Sequence, residues 1–238
     1  MKKLALVLLL ATVSVLLSGC LFPSSEREGT NIPYEQQLNS VQEAVDRFRE
    51  NSGGLIPIRN RDADVDQYIK YPIDFSKIVP AYLPEIPSNA FEQGGVYQYV
   101  LMDVENVPTV KLVDLQLAEQ LRSLNVRKGI NGYVPIASVV TDNVYRPSYE
   151  AMGLEGAAEV TSPYSGRNLP IVVTGAGDFY VDYSMDLFTE LQEYEGEVTP
   201  GEDIRFLLYD DSPIVPAYSL PYTVNEEGEP VFLTENEN

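Results

Sequence analysis

The sequence predicts an α+β protein in which amphipathic helices pack on antiparallel strands, arranged as two similar-sized subdomains. Apolar residues recur every three or four positions near 38–48, 117–124 and 187–194, which is the spacing of one buried helix face. Short apolar runs bounded by glycine-containing turns indicate antiparallel strands. Strands and helices alternate too sparsely for a doubly wound parallel sheet.

The first helix is expected over residues 33–51. Leu38, Val41, Val45 and Phe48 fall on one face, with Ala44 beside them. The Gly53-Gly54 pair that follows is typical of a helix end. A hairpin should come next, because the apolar runs 96–101 and 107–113 are separated by a short polar segment.

The second half is expected to begin with a helix from about Asp114, ended by Gly129 and Gly132. A second hairpin should pair residues 169–174 with 179–183 across a glycine-rich turn. The order helix, glycines and then Pro-Ile occurs in both halves, with the prolines 78 positions apart at Pro57 and Pro135. An internal duplication and a chance similarity of amphipathic helices explain this order equally well.

A third helix should start at Ser184 as its N-cap residue, because serine accepts a hydrogen bond from the first turn. Its predicted apolar face contains Leu187, Phe188, Leu191 and Tyr194. Strands are expected at three places in the remaining chain, namely 204–209, 220–224 and 230–233.

The chain opens with two lysines and a short apolar run that ends at Leu17-Ser18-Gly19-Cys20. The run is shorter than the roughly 20 residues of a transmembrane helix and has the organisation of a secretory signal. Its last four residues resemble the lipobox of bacterial lipoproteins. The resemblance implies cleavage before Cys20, acylation of that cysteine and attachment to the outer face of the cell membrane. The alternative is an uncut membrane segment followed by an ordinary thiol, but Cys20 is the only cysteine and stands where the motif requires it.

The charge balance argues against nucleic acid as a partner. The chain has 16 lysines and arginines against 36 aspartates and glutamates, a formal net charge of −20. A surface of this sign repels phosphate, and it favours solubility rather than one particular ligand.

The composition also excludes several catalytic and metal sites. With no histidine and one cysteine, the chain can form neither a histidine-based triad nor a zinc site of histidines and cysteines. Asp62, Asp64 and Asp66 resemble the start of an EF-hand loop, but Gln67 stands where glycine is needed and Ile73 where the bidentate glutamate is needed. We therefore expect a solvated acidic loop, no bound metal, no cofactor and no enzymatic activity.

Residues 36–113 resemble the soluble head of type II pseudopilins. The resemblance lies in a helix followed by Gly-Gly-Leu-Ile-Pro, in Tyr82-Leu83 with Ile86-Pro87, and in the Tyr-x-Tyr strand at Tyr97. It implies a pilin-head-like first subdomain. It implies no pilus assembly, since a lipoprotein leader replaces the long apolar N-terminal helix. The whole chain also resembles poorly characterised lipoproteins of spore-forming bacilli, some of which are labelled as binding proteins of ABC transporters.

The predicted domain organisation has five parts: a signal peptide (1–19), a flexible tether (20–32), a first α+β subdomain (33–113), a second (114–210) and a C-terminal extension (211–238). The predicted function is that of a non-catalytic lipoprotein that binds or organises an envelope protein. The alternative is the substrate-binding component of an ABC importer, with a small-molecule ligand. A carboxylate-dependent wall hydrolase is a third possibility. Six tyrosines are candidates for a ligand groove or for ordinary packing: Tyr97, Tyr99, Tyr133, Tyr164, Tyr180 and Tyr183.

Overall fold

The amphipathic stripe near the start of the chain forms helix α1, Asn31–Asn51. The computed structural model describes residues 31–59, 61 and 65–233. Val41, Ala44 and Val45 are completely buried, which confirms the predicted face of the helix. Gly53 follows with φ 74°, a left-handed conformation that glycine adopts without a steric penalty.

The first hairpin is also confirmed. Strand β1 (Tyr97–Met102) pairs antiparallel with β2 (Thr109–Asp114), so that Tyr97 faces Asp114 and Met102 faces Thr109. Side chains of both strands fill the surrounding core, where Val100, Leu112 and Val113 are fully buried. The β-branched and aromatic residues of these strands suit such a half-buried pleated surface.

Other parts of the chain pair with both outer edges of this hairpin. Along β1, the Ile73 amide donates to the Tyr99 carbonyl and the Leu101 amide to the Tyr71 carbonyl, each at 2.9 Å. Along β2, the Leu112 amide donates to Pro213 and the Leu112 carbonyl accepts from Val215, again at 2.9 Å. The hairpin therefore lies inside a wider set of paired segments.

A helix side chain completes the cover on β2. The Gln42 side chain of α1 accepts a hydrogen bond from the Val110 amide at 2.7 Å and donates one to the Pro108 carbonyl at 3.1 Å. One amide side chain thus bonds to both a donor and an acceptor of the strand backbone, in the way a neighbouring strand would.

Helix α2, Leu115–Asn131, begins where the sequence predicts and ends at the second of the two predicted glycines. The Asp114 carboxylate accepts a hydrogen bond from the Gln116 amide at 2.8 Å, which is an N-cap contact. Gly132, at φ 77°, is the C-cap residue, whereas Gly129 lies inside the helix. Leu117, Leu121 and Leu124 are buried.

The second sheet is antiparallel, with strand order β3-β4-β6-β5 and with β7 paired to β6. Its strands are β3 (Ile136–Thr141), β4 (Val144–Pro147), β5 (Glu159–Thr161), β6 (Asn168–Thr174) and β7 (Phe179–Val181). Strand β6 is the centre of this sheet, with Leu169, Ile171 and Val173 fully buried in a core that includes the α2 leucines. The predicted β6–β7 hairpin is confirmed, while β3, β4 and β5 were not predicted.

Helix α3, Ser184–Glu193, differs from the prediction in two respects. The N-cap residue is Tyr183, and Ser184 is the first helical residue. The Ser184 amide donates a hydrogen bond to the Asp182 carboxylate at 3.0 Å. Phe188 is 47% exposed, although the predicted apolar face contains it. The helix buries Leu187 together with Asp186, so its inner face is displaced from the most apolar stripe.

The predicted strand 204–209 is wrong, because Ile204–Leu208 forms a 3-10 helix. The Asp203 carboxylate accepts a hydrogen bond from the Arg205 amide at 3.1 Å, which caps the first turn. The Arg205 guanidinium, bonded to the same carboxylate, donates to the Ser219 carbonyl at 2.8 Å in the interior. Local capping and a buried arginine therefore prevail over the apolar run.

Strands β8 (Tyr222–Val224) and β9 (Pro230–Phe232) lie where the sequence predicts strands, and they pair antiparallel. The described residues from 38 onward form one compact unit. The division of this unit into two subdomains and a C-terminal extension stays a prediction, as does the internal duplication. Within the described residues, no helix is long and apolar enough to span a membrane.

Candidate protein-binding surface

Strand β3 and its turn into β4 define the candidate site. The strand has the sequence Ile-Ala-Ser-Val-Val-Thr, rich in β-branched residues, and Asp142-Asn143 forms a two-residue turn into β4. Asn143 has φ 58°, a conformation that asparagine tolerates better than most residues. Its side-chain oxygen accepts a hydrogen bond from the Gly175 amide at 2.9 Å, which fixes the turn against the β6–β7 hairpin.

β3 is bonded along one edge alone. Its partners are on β4, from Ile136 opposite Pro147 to Thr141 opposite Val144, with two register shifts between them. Among the described residues, no segment pairs with its other edge, neither as a strand nor as an isolated bridge. The backbone donors and acceptors along that edge are therefore open to a further strand.

Both faces of β3 are exposed. The fractional exposure is 46% for Ile136, 69% for Val139 and 39% for Val140, and Ala137 and Ser138 are exposed too. Six of the fourteen exposed large apolar side chains in the described residues lie between positions 126 and 140. Such a cluster of exposed apolar side chains in one short part of the chain is typical of an interaction site.

The charge of this region also differs from that of the whole chain. The segment 115–147, which forms α2, β3 and β4, contains two of the 36 acidic residues but four of the 16 basic ones. These charged residues are Glu119, Asp142, Arg122, Arg127, Lys128 and Arg146. Residues 133–141 carry no charge at all. In a chain of net charge −20, the segment 115–147 therefore has four basic and two acidic residues, a formal net charge of +2.

The end of α2 lies near the β3–β4 turn. The Lys128 ammonium donates to the Gly177 carbonyl at 2.8 Å, while Asn143 bonds to Gly175 in the same β6–β7 turn. Beyond Lys128, Ile130 is 79% exposed and Tyr133 is 65% exposed. The exposed apolar residues thus continue from the helix end into the strand.

The lipid-attachment residue predicted from the sequence, Cys20, lies outside the described residues, so its acylation stays a prediction. Asp62 and Asp64 of the acidic loop lie outside them as well. Asp66, the third acid of that loop, accepts hydrogen bonds from the Tyr68 amide at 2.9 Å and the Tyr218 amide at 3.1 Å. Its carboxylate therefore holds two backbone segments together.

The six candidate tyrosines do not form one groove-lining set. Tyr99 and Tyr183 are completely buried, and Tyr133 projects into solvent. The Tyr99 hydroxyl donates to the Asn89 side chain at 2.8 Å, and burial raises the pKa of Tyr99 to about 12. The buried members act in packing, as alternating tyrosines on strands usually do.

Two buried carboxylates near α3 belong to local networks. Asp182 accepts from the Arg146 guanidinium at 2.5 Å and from the Tyr222 hydroxyl at 2.8 Å. Asp186 accepts from the Ser162 and Ser165 hydroxyls, at 2.6 and 2.5 Å. Both side chains are 2% exposed, so these networks give two buried polar groups their hydrogen-bond partners.

An open cleft of about 220 Å³ lies beside the β1–β2 turn. Its lining includes Tyr71 and Met102, with Asp103 and Glu105 at the turn. Asp103 has φ 48° and accepts from the Asn106 side chain at 2.7 Å, an arrangement that closes the turn. Within the described part of the chain, no group of three or more acidic or cysteine side chains is placed to hold a metal ion.

Residues 34–114 match the family model described as the YphF family N-terminal domain. No curated protein and no solved structure matches the chain. The matched segment runs from α1 through the end of β2, nearly the same range as the segment that resembles a pseudopilin head. It stops before β3, so the open strand lies in the part of the chain that the family model does not cover. The pseudopilin resemblance stays a prediction.

Proposed function

We propose that this protein is a lipid-anchored, extracytoplasmic and non-catalytic lipoprotein that binds another protein chain by adding a strand to the open edge of β3. The observation that carries the proposal is the β3 edge itself. It is apolar, uncharged, exposed on both faces and unpaired along one side within the described residues. Strand addition supplies main-chain hydrogen bonds to such an edge, and the exposed side chains supply selectivity.

The anchoring part of the proposal rests on the sequence. Leu17-Ser18-Gly19-Cys20 resembles a lipobox, and the whole chain resembles lipoproteins of spore-forming bacilli. Two acyl chains suffice for stable attachment to a bilayer without help from a basic patch. An acidic chain of net charge −20 is then held near the membrane by lipid rather than by electrostatics.

Replacing the lipobox cysteine tests the anchor. We expect the Cys20→Ser chain to lose its acyl label, and to remain as an unprocessed precursor or to leave the membrane fraction. Metabolic labelling with a radioactive fatty acid measures this, and Ser18→Ala is the matched control because it alters the motif but not the acylated atom. A Cys20→Ser chain that still carries acyl label would contradict the anchor.

A photo-crosslinking residue at position 138 of the full chain tests the β3 edge. We expect a covalent adduct with another polypeptide at position 138, and none when the same residue stands at position 107. Val107 is a fair control, since it is 67% exposed and lies in the β1–β2 turn. Adding Val139→Lys should abolish the adduct at 138, because a charged side chain on an edge strand opposes pairing.

The binding proposal fails if the adduct forms equally at positions 138 and 107, or if Val139→Lys leaves it unchanged. Equal adducts would indicate random collision rather than a specific surface. The lysine variant itself should fold normally, because residue 139 is 69% exposed.

The second candidate function is ligand binding for an ABC importer, and the cleft beside Tyr71 is the observation that favours it. At about 220 Å³ the cleft is smaller than the sites of about 300–1,000 Å³ that bury most of a drug-sized ligand. Its two carboxylates, Asp103 and Glu105, would select a small cation. A Glu105→Gln change that abolishes a ligand-induced rise in melting temperature would place this function first.

A further inference from the structure

We propose that the strand added to β3 is the β3 of a second copy of this chain, so that the two copies form one continuous antiparallel sheet. This inference rests on the proposed function, since it names the partner of the same edge. Across the junction, the strand order would be β5-β6-β4-β3 in one copy, followed by the same strands in reverse in the other.

The sequence of β3 is suited to pair with itself. Residues 133–141 carry no charge, so two antiparallel copies of β3 place no like charges opposite each other along these residues. Ile136, Val139 and Val140 are exposed and would find apolar neighbours in the other copy. A closed dimer of this kind uses the same patch on both chains, which a two-fold axis requires.

The charge distribution favours β3 as the surface through which two copies of the chain associate. Two chains of net charge −20 repel each other, and 34 of the 36 acidic residues lie outside the segment 115–147. Contact through β3 therefore brings few carboxylates of the two chains together. A lipid surface is a poorer occupant, because hydrocarbon offers no partners to the backbone donors and acceptors of a strand edge.

The geometry of such a pair is restricted. Directly opposed residues of antiparallel strands point to the same face, and side chains alternate between faces. A two-fold axis perpendicular to the sheet must therefore pass beside a residue that faces its own copy. With the six residues of β3 in use, that central residue is Ser138 or Val139.

This restriction predicts a sharp pattern of disulfide cross-linking. At the central position, the two Cα atoms lie about 4.5–5.5 Å apart, within disulfide range. Each step away from the centre displaces the two copies of a residue by about 7 Å along the strands, beyond that range. Single cysteines along β3 should therefore give one maximum rather than a broad band.

The experiment uses the full chain in its native membrane, with one added cysteine in each variant: Ala137→Cys, Ser138→Cys, Val139→Cys, Val140→Cys or the control Val107→Cys. The parent chain, with Cys20 alone, gives the background. After mild oxidation we expect disulfide-linked dimer to be at least tenfold more abundant at position 138 or 139 than at 107. A lysine at the neighbouring position should reduce the dimer to background: Val139→Lys where Ser138→Cys gives the maximum, and Val140→Lys where Val139→Cys gives it.

Each outcome decides between the two proposals. Equal yields at 107 and along β3 overturn self-pairing, since Val107 and Val139 are almost equally exposed, at 67% and 69%. If neither position 138 nor position 139 gives dimer, but position 138 gives the lysine-sensitive photo-adduct with a different protein, self-pairing is wrong and the binding function stands. If neither position 138 nor position 139 gives a disulfide-linked dimer, and position 138 gives no photo-adduct, both proposals fail.

Discussion

The edges of the β1–β2 hairpin are paired with other segments of the chain, whereas the outer edge of β3 has no partner among the described residues. The β1–β2 hairpin is covered on both sides, by residues 71–73 along β1 and by residues 213–215 and Gln42 along β2. β3 has a similarly apolar sequence, yet among the described residues its outer edge has no strand beside it and its side chains face solvent on both faces.

The difference separates stability from function. Segments that cover the hairpin edges are buried themselves, as Val215 and Ala217 are in the core beside Val100 and Val113. Their hydrogen bonds and apolar contacts contribute to folding. No side chain of β3 is buried, so its apolar residues contribute little to folding, and binding is the role that we propose for them.

The largest loss of stability is expected from a substitution in the segment 213–215 that pairs with the edge of β2. Val215 is completely buried, and its amide donates to the Leu112 carbonyl at the β2 edge. Val215→Asp places an unpaired charge there, which costs several kcal/mol. We expect loss of cooperative unfolding at 25 °C, measured by circular dichroism in urea.

Val107→Asp is the matched control for this change. The same substitution at a side chain 67% exposed should alter the free energy of unfolding by no more than about 0.5 kcal/mol. A Val215→Asp protein that unfolds like the Val107→Asp protein would mean that residues 213–215 do not cover β2.

The next largest effect is expected at the helix side chain that completes the same edge. Gln42→Leu removes both hydrogen bonds and leaves the Val110 amide and the Pro108 carbonyl without their partner. An unsatisfied, partly buried backbone group costs about 1–3 kcal/mol. We expect a loss in this range by urea denaturation. Gln42→Glu retains an acceptor for Val110, so its loss should be smaller.

The helices and two of the hairpins were predictable because their signals are local. The stripe of α1, the N-cap Asp114 of α2 and the glycine-rich β6–β7 turn each specify structure within a few residues. Ile204–Leu208 was predicted as a strand for the same local reason. An apolar run alone does not distinguish a strand from a short helix, and Asp203 as a capping residue was the signal that identifies the helix.

The candidate site was not predicted, although part of its signal was present. Asp142-Asn143 between two β-branched runs is a two-residue hairpin turn. The Pro-Ile pair just before them is less specific, since an internal duplication and chance similarity explain it equally well. The covering segments were beyond prediction for a different reason. Residues 213–215 pair with β2 across about a hundred positions of chain, and no periodicity encodes such a partner.

A smaller, pH-dependent effect is expected at Asp66. Its carboxylate caps the 3-10 helix Gln67–Ile69 and also accepts a hydrogen bond from the Tyr218 amide, three residues after the segment 213–215 that covers β2. Burial raises the pKa of Asp66 above its ordinary value of 3.8, although its backbone hydrogen bonds oppose the shift. The folded state therefore binds the proton more tightly than the unfolded state. The contribution of Asp66 to stability is complete below pH 3.8 and is lost as pH rises through the raised pKa.

Asp66→Asn measures this contribution, because asparagine does not titrate. We expect the stability of the parent, relative to the variant, to fall as pH rises from below 3.8 to 7. Urea midpoints at a series of pH values give this difference, and changes at other carboxylates cancel in it. A relative stability that rises with pH would show that the hydrogen bonds outweigh burial.

The smallest effect is expected at β3, and it depends on protein concentration. Val139→Lys should change the stability of the dilute protein by no more than about 0.5 kcal/mol, since the side chain is 69% exposed. If two copies pair through β3, mass action stabilises the parent by about 1.4 kcal/mol at ten times the dissociation constant. For a chain of this size, that corresponds to a rise of a few degrees in melting temperature. The melting temperature of the parent should therefore rise between micromolar and millimolar protein, and that of Val139→Lys should not. Parallel curves for the two proteins at every concentration would leave the β3 edge as open in solution as it is in the single chain.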